Sequence, residues 1–208
     1  GPGYGSWNFY FLKLFNKRLQ FLWQKYRYPT RIFKVKLYIM ITPTHKVTNL
    51  TLDLINDTQW ELHNQRPEKY TLLVFYRGLH CPKCKQQLEN LKEKLPGFTK
   101  RGINVIGISM DSEKRAKKTG AAWDIESIPI GYGLSEKEAK DWGLFLSTSI
   151  SESEPEVFSE PGLFLIKPDN TLYLSSIQTM PFARPHFEDL LKVIDFIEDK
   201  GYPARGTK

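Results

Sequence analysis

The six-residue run Thr71-Leu72-Leu73-Val74-Phe75-Tyr76, followed a few residues later by Pro82 and a helical pattern, constrains the fold most tightly. A strand with no polar alternation has no solvent face, so it belongs in the middle of a sheet with a layer on each side. Pro82 opens the helical segment, with Leu88, Leu91 and Leu95 on one face, and Pro96-Gly97 is expected to end it. Ile103 to Met110 is a second buried strand. Asp111-Ser112 caps a helix running to about Trp123. Ile128-Pro129-Ile130 is a short strand, and Ser135 with Glu138 forms a capping box that starts the next helix. Leu163–Ile166 and Leu172–Ile177 flank the turn Lys167-Pro168-Asp169-Asn170 and read as a hairpin. Pro185 starts the last helix, whose buried stripe is Phe187, Leu190, Leu191, Ile194 and Ile197. Thr44 to Leu54 is expected to supply an additional strand or hairpin. The order β-α-β-α-β-α-β-β-α predicts parallel strands with helices on both faces and an antiparallel edge, a three-layer α/β/α sandwich around a mixed central sheet.

Charge separates the chain into two parts. Of 30 Lys and Arg, eight lie before residue 40, together with none of the 23 acidic residues. Residues 1–39 therefore carry +8 and residues 40–208 carry −1, so the excess charge of the chain gives the body no reason to bind nucleic acid. Gly1-Pro2-Gly3-Tyr4-Gly5-Ser6 resembles a protease scar and linker, and the basic, aromatic segment 1–39 is expected to be added or upstream sequence, with Met40 the natural start. Phe11, Leu14, Phe15, Leu19, Leu22 and Trp23 have helical spacing, so a native leader would suit a membrane surface or a partner helix. Residues 40–208 are expected to form the folded domain.

Both cysteines of the chain sit in Cys81-Pro82-Lys83-Cys84, directly after the buried strand and at the start of a helix. Two sulfurs three residues apart meet within one helical turn, and the helix N-terminus stabilises a thiolate. Arg77, His80, Lys83 and Lys85 surround the pair in sequence, with no acid between Tyr76 and Gln87. A second CxxC is missing and the remaining histidines do not recur at ligand spacing, so no metal is expected. Cys81, ahead of the first turn, is expected to be the more exposed and attacking sulfur, with Cys84 resolving the mixed disulfide.

Phe75 to Cys84 resembles the active-site segment of thioredoxin-fold proteins, and more closely the peroxiredoxin-like group of the alkyl hydroperoxide reductase and thiol-specific antioxidant superfamily. Val105-Ile106-Gly107-Ile108-Ser109-Met110-Asp111-Ser112 is similar to that superfamily's second-strand motif. Glu160-Pro161-Gly162-Leu163-Phe164-Leu165-Ile166 resembles the segment that bears the thioredoxin-fold cis-proline, and Met180-Pro181-Phe182-Ala183-Arg184-Pro185 is similar to the peroxiredoxin-like group. The four motifs occur in order and the resemblance spans about Thr44 to Arg205. It implies a thioredoxin-like fold and a thiol-dependent oxidoreductase. Such an enzyme cycles between dithiol and disulfide, acts on a hydroperoxide or a protein disulfide, and takes electrons from thioredoxin or glutathione without an organic or metal cofactor. It also implies a possible homodimer. Separately, only two cysteines and no secretion signal before Met40 lead us to expect a reducing cytoplasm. A redox-sensing interaction module without turnover is the alternative.

The chain departs from the patterns it resembles at informative positions. A peroxiredoxin carries Pro-x-x-x-Thr-x-x-Cys after its Phe-Tyr; here Arg77 falls on the Pro, Cys81 on the Thr and Cys84 on the peroxidatic cysteine. On that superposition Cys84 becomes the sulfenic acid and Cys81 condenses with it. Against thioredoxin, Phe75 replaces a buried Asp and His80 a Trp. Pro161, expected to follow a cis bond, would present backbone to the pair. Arg184 is a candidate to reach the sulfurs or an anionic substrate, and His80 a candidate proton shuttle.

Overall fold

The computed structural model describes residues 40–208, so the basic leader lies outside the described residues. A hairpin comes first, β1 (Thr51–Leu54) and β2 (Gln59–Glu61). Then follow β3 (Tyr70–Phe75), α1 (Pro82–Lys100), β4 (Ile103–Ile108), α2 (Glu113–Ala122), β5 (Ile130–Tyr132) and α3 (Glu136–Asp141). A short ribbon of β6 (Leu146–Thr148) and β7 (Val157–Ser159) precedes β8 (Gly162–Ile166), β9 (Leu172–Ile177) and α4 (Phe187–Lys200).

The main sheet runs β2-β1-β5-β4-β3-β8-β9. β3, β4 and β5 are parallel, while β1 joins β5 and β8 joins β3 antiparallel. The expected mixed sheet is therefore present, with antiparallel strands at both edges. Every residue of β3 is buried, and its alternate side chains feed two separate cores. Leu72, Val74 and Tyr76 join Leu88, Leu91 and Phe98 of α1 and the α4 stripe on one face. Leu73 and Phe75 join Val47, Leu50, Leu62 and Trp142 on the other. All five residues of the α4 stripe are buried, as its 3.6-residue spacing predicts. Ser135 and Glu138 close the expected capping box on α3.

Helix α1 differs from expectation. It continues through Pro96 and Gly97 to Lys100. Proline in a helix interior removes one hydrogen bond and crowds the preceding turn. The last turn is held instead by packing: Phe98 is fully buried edge-on to Phe187 at 6.0 Å, and Gly97 lies close under Leu191. Arg101 adds a bond from Nη1 to the Gly97 carbonyl at 2.9 Å and an ion pair with Asp195 of α4 at 2.6 Å. The ribbon β6–β7 was also not expected; its strands are three residues long and too short to leave a periodic signal.

Candidate active site

The site forms where β3 ends and α1 begins. Gly78 has φ 130°, a conformation open to glycine, and an added Cβ would stand 2.7 Å from the Asp111 carboxylate. This close approach lets Asp111, itself buried, accept from the Leu79 N–H at 2.8 Å and pair with Arg115 Nε at 2.8 Å. The loop 77–80 is thus tied down from the end of β4. Cys81 then acts as N-cap of α1, its Sγ accepting from the Cys84 N–H at 3.1 Å, with Pro82 at the first helical position.

Cys81 and Cys84 are joined as a disulfide, with Cα atoms 5.2 Å apart. Both are buried, at 2% and 0% exposure, so the expected greater exposure of Cys81 amounts to very little in this state. Arg184 lies on the turn before α4, with its Nη2 3.0 Å from Cys84 Sγ and 3.6 Å from Cys81 Sγ. The turn is fixed by Arg184 Nε donating to the Pro181 carbonyl at 2.8 Å and Nη1 to Gln87 Oε1 at 2.5 Å. Ala183 beside it sits at φ 55°, a left-handed conformation that costs a non-glycine residue about 1–2 kcal/mol. Burial first, and then the Arg77 charge, push the Arg184 guanidinium pKa down to about 10 against an upward pull from Glu160.

Arg77 is also at the site, by its backbone: its N–H donates to Cys84 Sγ at 3.4 Å. Its side chain turns away, over the Phe158 ring at 4.6 Å, with Nε 3.3 Å from Glu160 Oε2 and Nη2 3.9 Å from Glu154. The Arg77–Glu160 contact is an ion pair of poor angle, and neither Arg77 Nε nor Glu160 Oε2 completes a hydrogen bond although both are buried. His80 stacks edge-on to Phe158 at 4.7 Å, and its Nδ1 faces Arg115 at 3.5 Å while Nε2 is buried without a partner. Burial, and then Arg77, holds the His80 pKa below the usual histidine value.

Pro161 is buried immediately ahead of β8, one residue before Gly162, which pairs with Phe75 at the end of β3. No peptide bond among the described residues is cis, so the expected cis Glu160–Pro161 bond is a trans one. A residue before proline favours extended backbone, and the trans isomer is preferred by about 0.5–1 kcal/mol unless a tight turn demands otherwise. Here Glu160 N–H bonds to the Phe145 carbonyl and the Pro161 carbonyl accepts from Gln178 N–H, so the chain runs straight on into the sheet.

The sequence reading missed the acids. Glu160 is 3% exposed, Asp111 is 2% exposed, and Glu154 and Phe158 arrive on the β6–β7 ribbon. Asp111 and Glu160 each lay inside a motif segment, but they stand 27 or more positions from Cys84 and only the fold brings them to its loop.

The AhpC/TSA family matches residues 43–175. The chain is 25% identical over 166 residues to a 1-Cys peroxiredoxin of Dirofilaria immitis, covering 70% of this chain and 64% of that protein. It thus spans less than two thirds of the length of that relative. The structure of a cysteine mutant of peroxiredoxin 6 from Arenicola marina superposes with TM-score 0.67 at 21% identity, over 77% of this chain and 75% of that one. A yeast mitochondrial 1-Cys peroxiredoxin, described as resolving its thiol through glutathione/thioredoxin systems, superposes with TM-score 0.62 at 16% identity, over 78% of this chain and 80% of that one. The shared architecture is that of the thioredoxin fold.

Proposed function

The chain belongs to the AhpC/TSA family, and from that premise we propose that it is a thiol-dependent peroxidase that cycles between a dithiol and the Cys81–Cys84 disulfide. The observation that carries the reading is the placement of both sulfurs at a helix N-terminus against the Arg184 guanidinium, 3.0 Å from Cys84 Sγ. An adjacent cation and free helix amides favour the thiolate, which is the nucleophile.

The donor set favours Cys84 as the sulfur that meets peroxide. It accepts from Arg184 at 3.0 Å and from Arg77 N–H at 3.4 Å, whereas Cys81 has the helix amide of Cys84 at 3.1 Å and Arg184 at 3.6 Å. The Cys84 thiolate attacks one oxygen of the hydroperoxide, the O–O bond breaks, and the leaving alkoxide or hydroxide takes a proton. The Cys81 thiol then attacks the Cys84 sulfenic acid, expelling water and forming the disulfide. Two thiols of a reductant return the pair to dithiol and leave oxidised themselves. Thioredoxin and glutathione are the proposed electron donors, on the strength of the family resemblance and of the donor systems described for the yeast neighbour. Burial of both sulfurs favours a small hydroperoxide over a bulky protein disulfide as substrate. Reduction then requires transient exposure of Cys81, at the edge of the first helical turn.

Stopped-flow oxidation of the reduced protein by hydrogen peroxide, followed by mass, tests this. Rapid loss of both thiols with a mass decrease of two hydrogens is the expected result. Slow loss with peroxide but rapid exchange with a protein disulfide would replace the peroxidase with a disulfide reductase. Mapping the alkylated residue at limiting iodoacetamide decides the nucleophile: Cys84 is expected, and exclusive labelling of Cys81 would reverse the two roles.

A further inference from the structure

We propose that Glu160 is a buried counter-charge that sets the electron affinity of the Cys81–Cys84 pair by offsetting the cations around it. The inference rests on the redox reading above. Reducing the disulfide with two electrons and one proton converts a neutral group into one thiol and one thiolate, so a negative charge appears at the sulfurs. Arg184 and Arg77 attract that charge, and a neighbouring carboxylate opposes it.

The charged groups around the pair come from several elements. Lys83 and Lys85 lie on α1, Arg77 and His80 on the preceding loop, and Arg184 on the turn before α4. The acids are Asp111 at the end of β4 and Glu154 and Glu160 on the ribbon side. Asp111 is already matched by Arg115 at 2.8 Å and by the Leu79 amide. Glu154 is 3.9 Å from Arg77 and accepts from the Ile150 N–H at 2.7 Å. Glu160 alone faces Arg77 at 3.3 Å with a carboxylate oxygen that has no other partner, while its second oxygen accepts from Ser147 Oγ at 2.7 Å.

Two features distinguish this pair from a structural brace. A buried ion pair recovers its desolvation cost through good geometry and complete hydrogen bonding, and Arg77 Nε and Glu160 Oε2 lack both. The same carboxylate is also close enough to raise the Arg184 pKa, so its field extends to the guanidinium that touches the sulfurs.

The test compares the full-length chain with Glu160→Gln. A glutamine can turn its oxygen to Arg77 and its amide to Ser147, keeping the shape while removing the charge. Thiolate absorbance at 240 nm is titrated in the reduced proteins, and disulfide content is measured by alkylation in glutathione buffers of known ratio. The nucleophile's pKa is expected to fall by about one unit, a modest case of a charge acting at close range. The equilibrium is expected to move up to about tenfold toward dithiol, about 30 mV. Glu160→Met, neutral and of similar volume, carries the same expectation if the glutamine variant does not fold. An unchanged or raised thiolate pKa in the folded variant overturns the proposal. Absence of any exchange with glutathione in the unaltered protein would instead overturn the redox reading itself.

Discussion

The two ends of β3 carry ionic clusters of opposite character. At its start, Tyr70 OH donates to Glu198 at 2.7 Å and Lys69 pairs with the other Glu198 oxygen at 2.9 Å, near the surface and with the polar contacts made. Tyr173, edge-on to Tyr70 at 5.7 Å, donates its own hydroxyl to the Tyr202 carbonyl at 2.6 Å. Just past its end, Glu160 is buried and Arg77 largely so, paired by charge and incompletely hydrogen-bonded. The first cluster ties α4 to the sheet. The second holds charge in a dry place where it strongly affects any neighbouring group that changes its own charge.

The largest effect expected belongs to the sulfurs. Cys84→Ser should abolish reaction with peroxide, whereas Cys81→Ser should still react and stop at a sulfenic acid, readable as a mass gain of one oxygen; the reverse pattern would exchange the two roles. Stability sharpens the contrast next. Glu160→Ala removes the nearer of the two acids that face the largely buried Arg77, leaving Glu154 at 3.9 Å, and should cost about 3 kcal/mol in urea unfolding, the low end for a broken buried pair. Glu198→Ala, in a cluster screened by solvent, should cost about 1 kcal/mol or less for its ion pair, with loss of the Tyr70 hydrogen bond adding about another 1 kcal/mol. Equal costs would remove the distinction between the two ends. Gly78→Ala comes third: strain at φ 130° and collision with Asp111 should cost about 1–3 kcal/mol. It should slow the thiol chemistry as well, since the loop that carries Arg77 would shift.

The smallest effects are pH effects, and they differ between the ends. His80 has a folded pKa below the ordinary histidine value of 6.5, so the unfolded chain binds more protons as pH falls through that value. Stability therefore drops on acidification below about pH 6.5, and His80→Gln should flatten that limb of the unfolding curve. Glu198 has a depressed pKa, chiefly through its bonds from Lys69 and Tyr70. Its contribution is present above the ordinary glutamate value of 4.5 and is lost as pH falls below it, weakly because the carboxylate is about one-third exposed. A pH–stability curve in which the upper limb survives His80→Gln would remove the buried end from this account.

The amino-acid order alone determined the architecture. An unbroken apolar strand, the Ser135–Glu138 capping box and the α4 stripe are local signals, because strand and helix periodicity and N-cap chemistry involve residues a few positions apart. The Cys81–Cys84 pair at a strand–helix junction was legible for the same reason, and four motif segments in order pointed to the family. Where a helix ends at a proline was not legible, since Phe98 packed on Phe187 outweighs the lost hydrogen bond at Pro96. Nor were the charges of the site. Sequence showed a run free of acids between Tyr76 and Gln87, which suggests unopposed cations. The fold brings Glu160, Asp111 and Glu154 back to that segment from distant elements. Coulomb interaction depends on distance in space and on burial, not on separation along the chain, so the electrostatic balance around the sulfurs was settled only when the sheet and the β6–β7 ribbon came together.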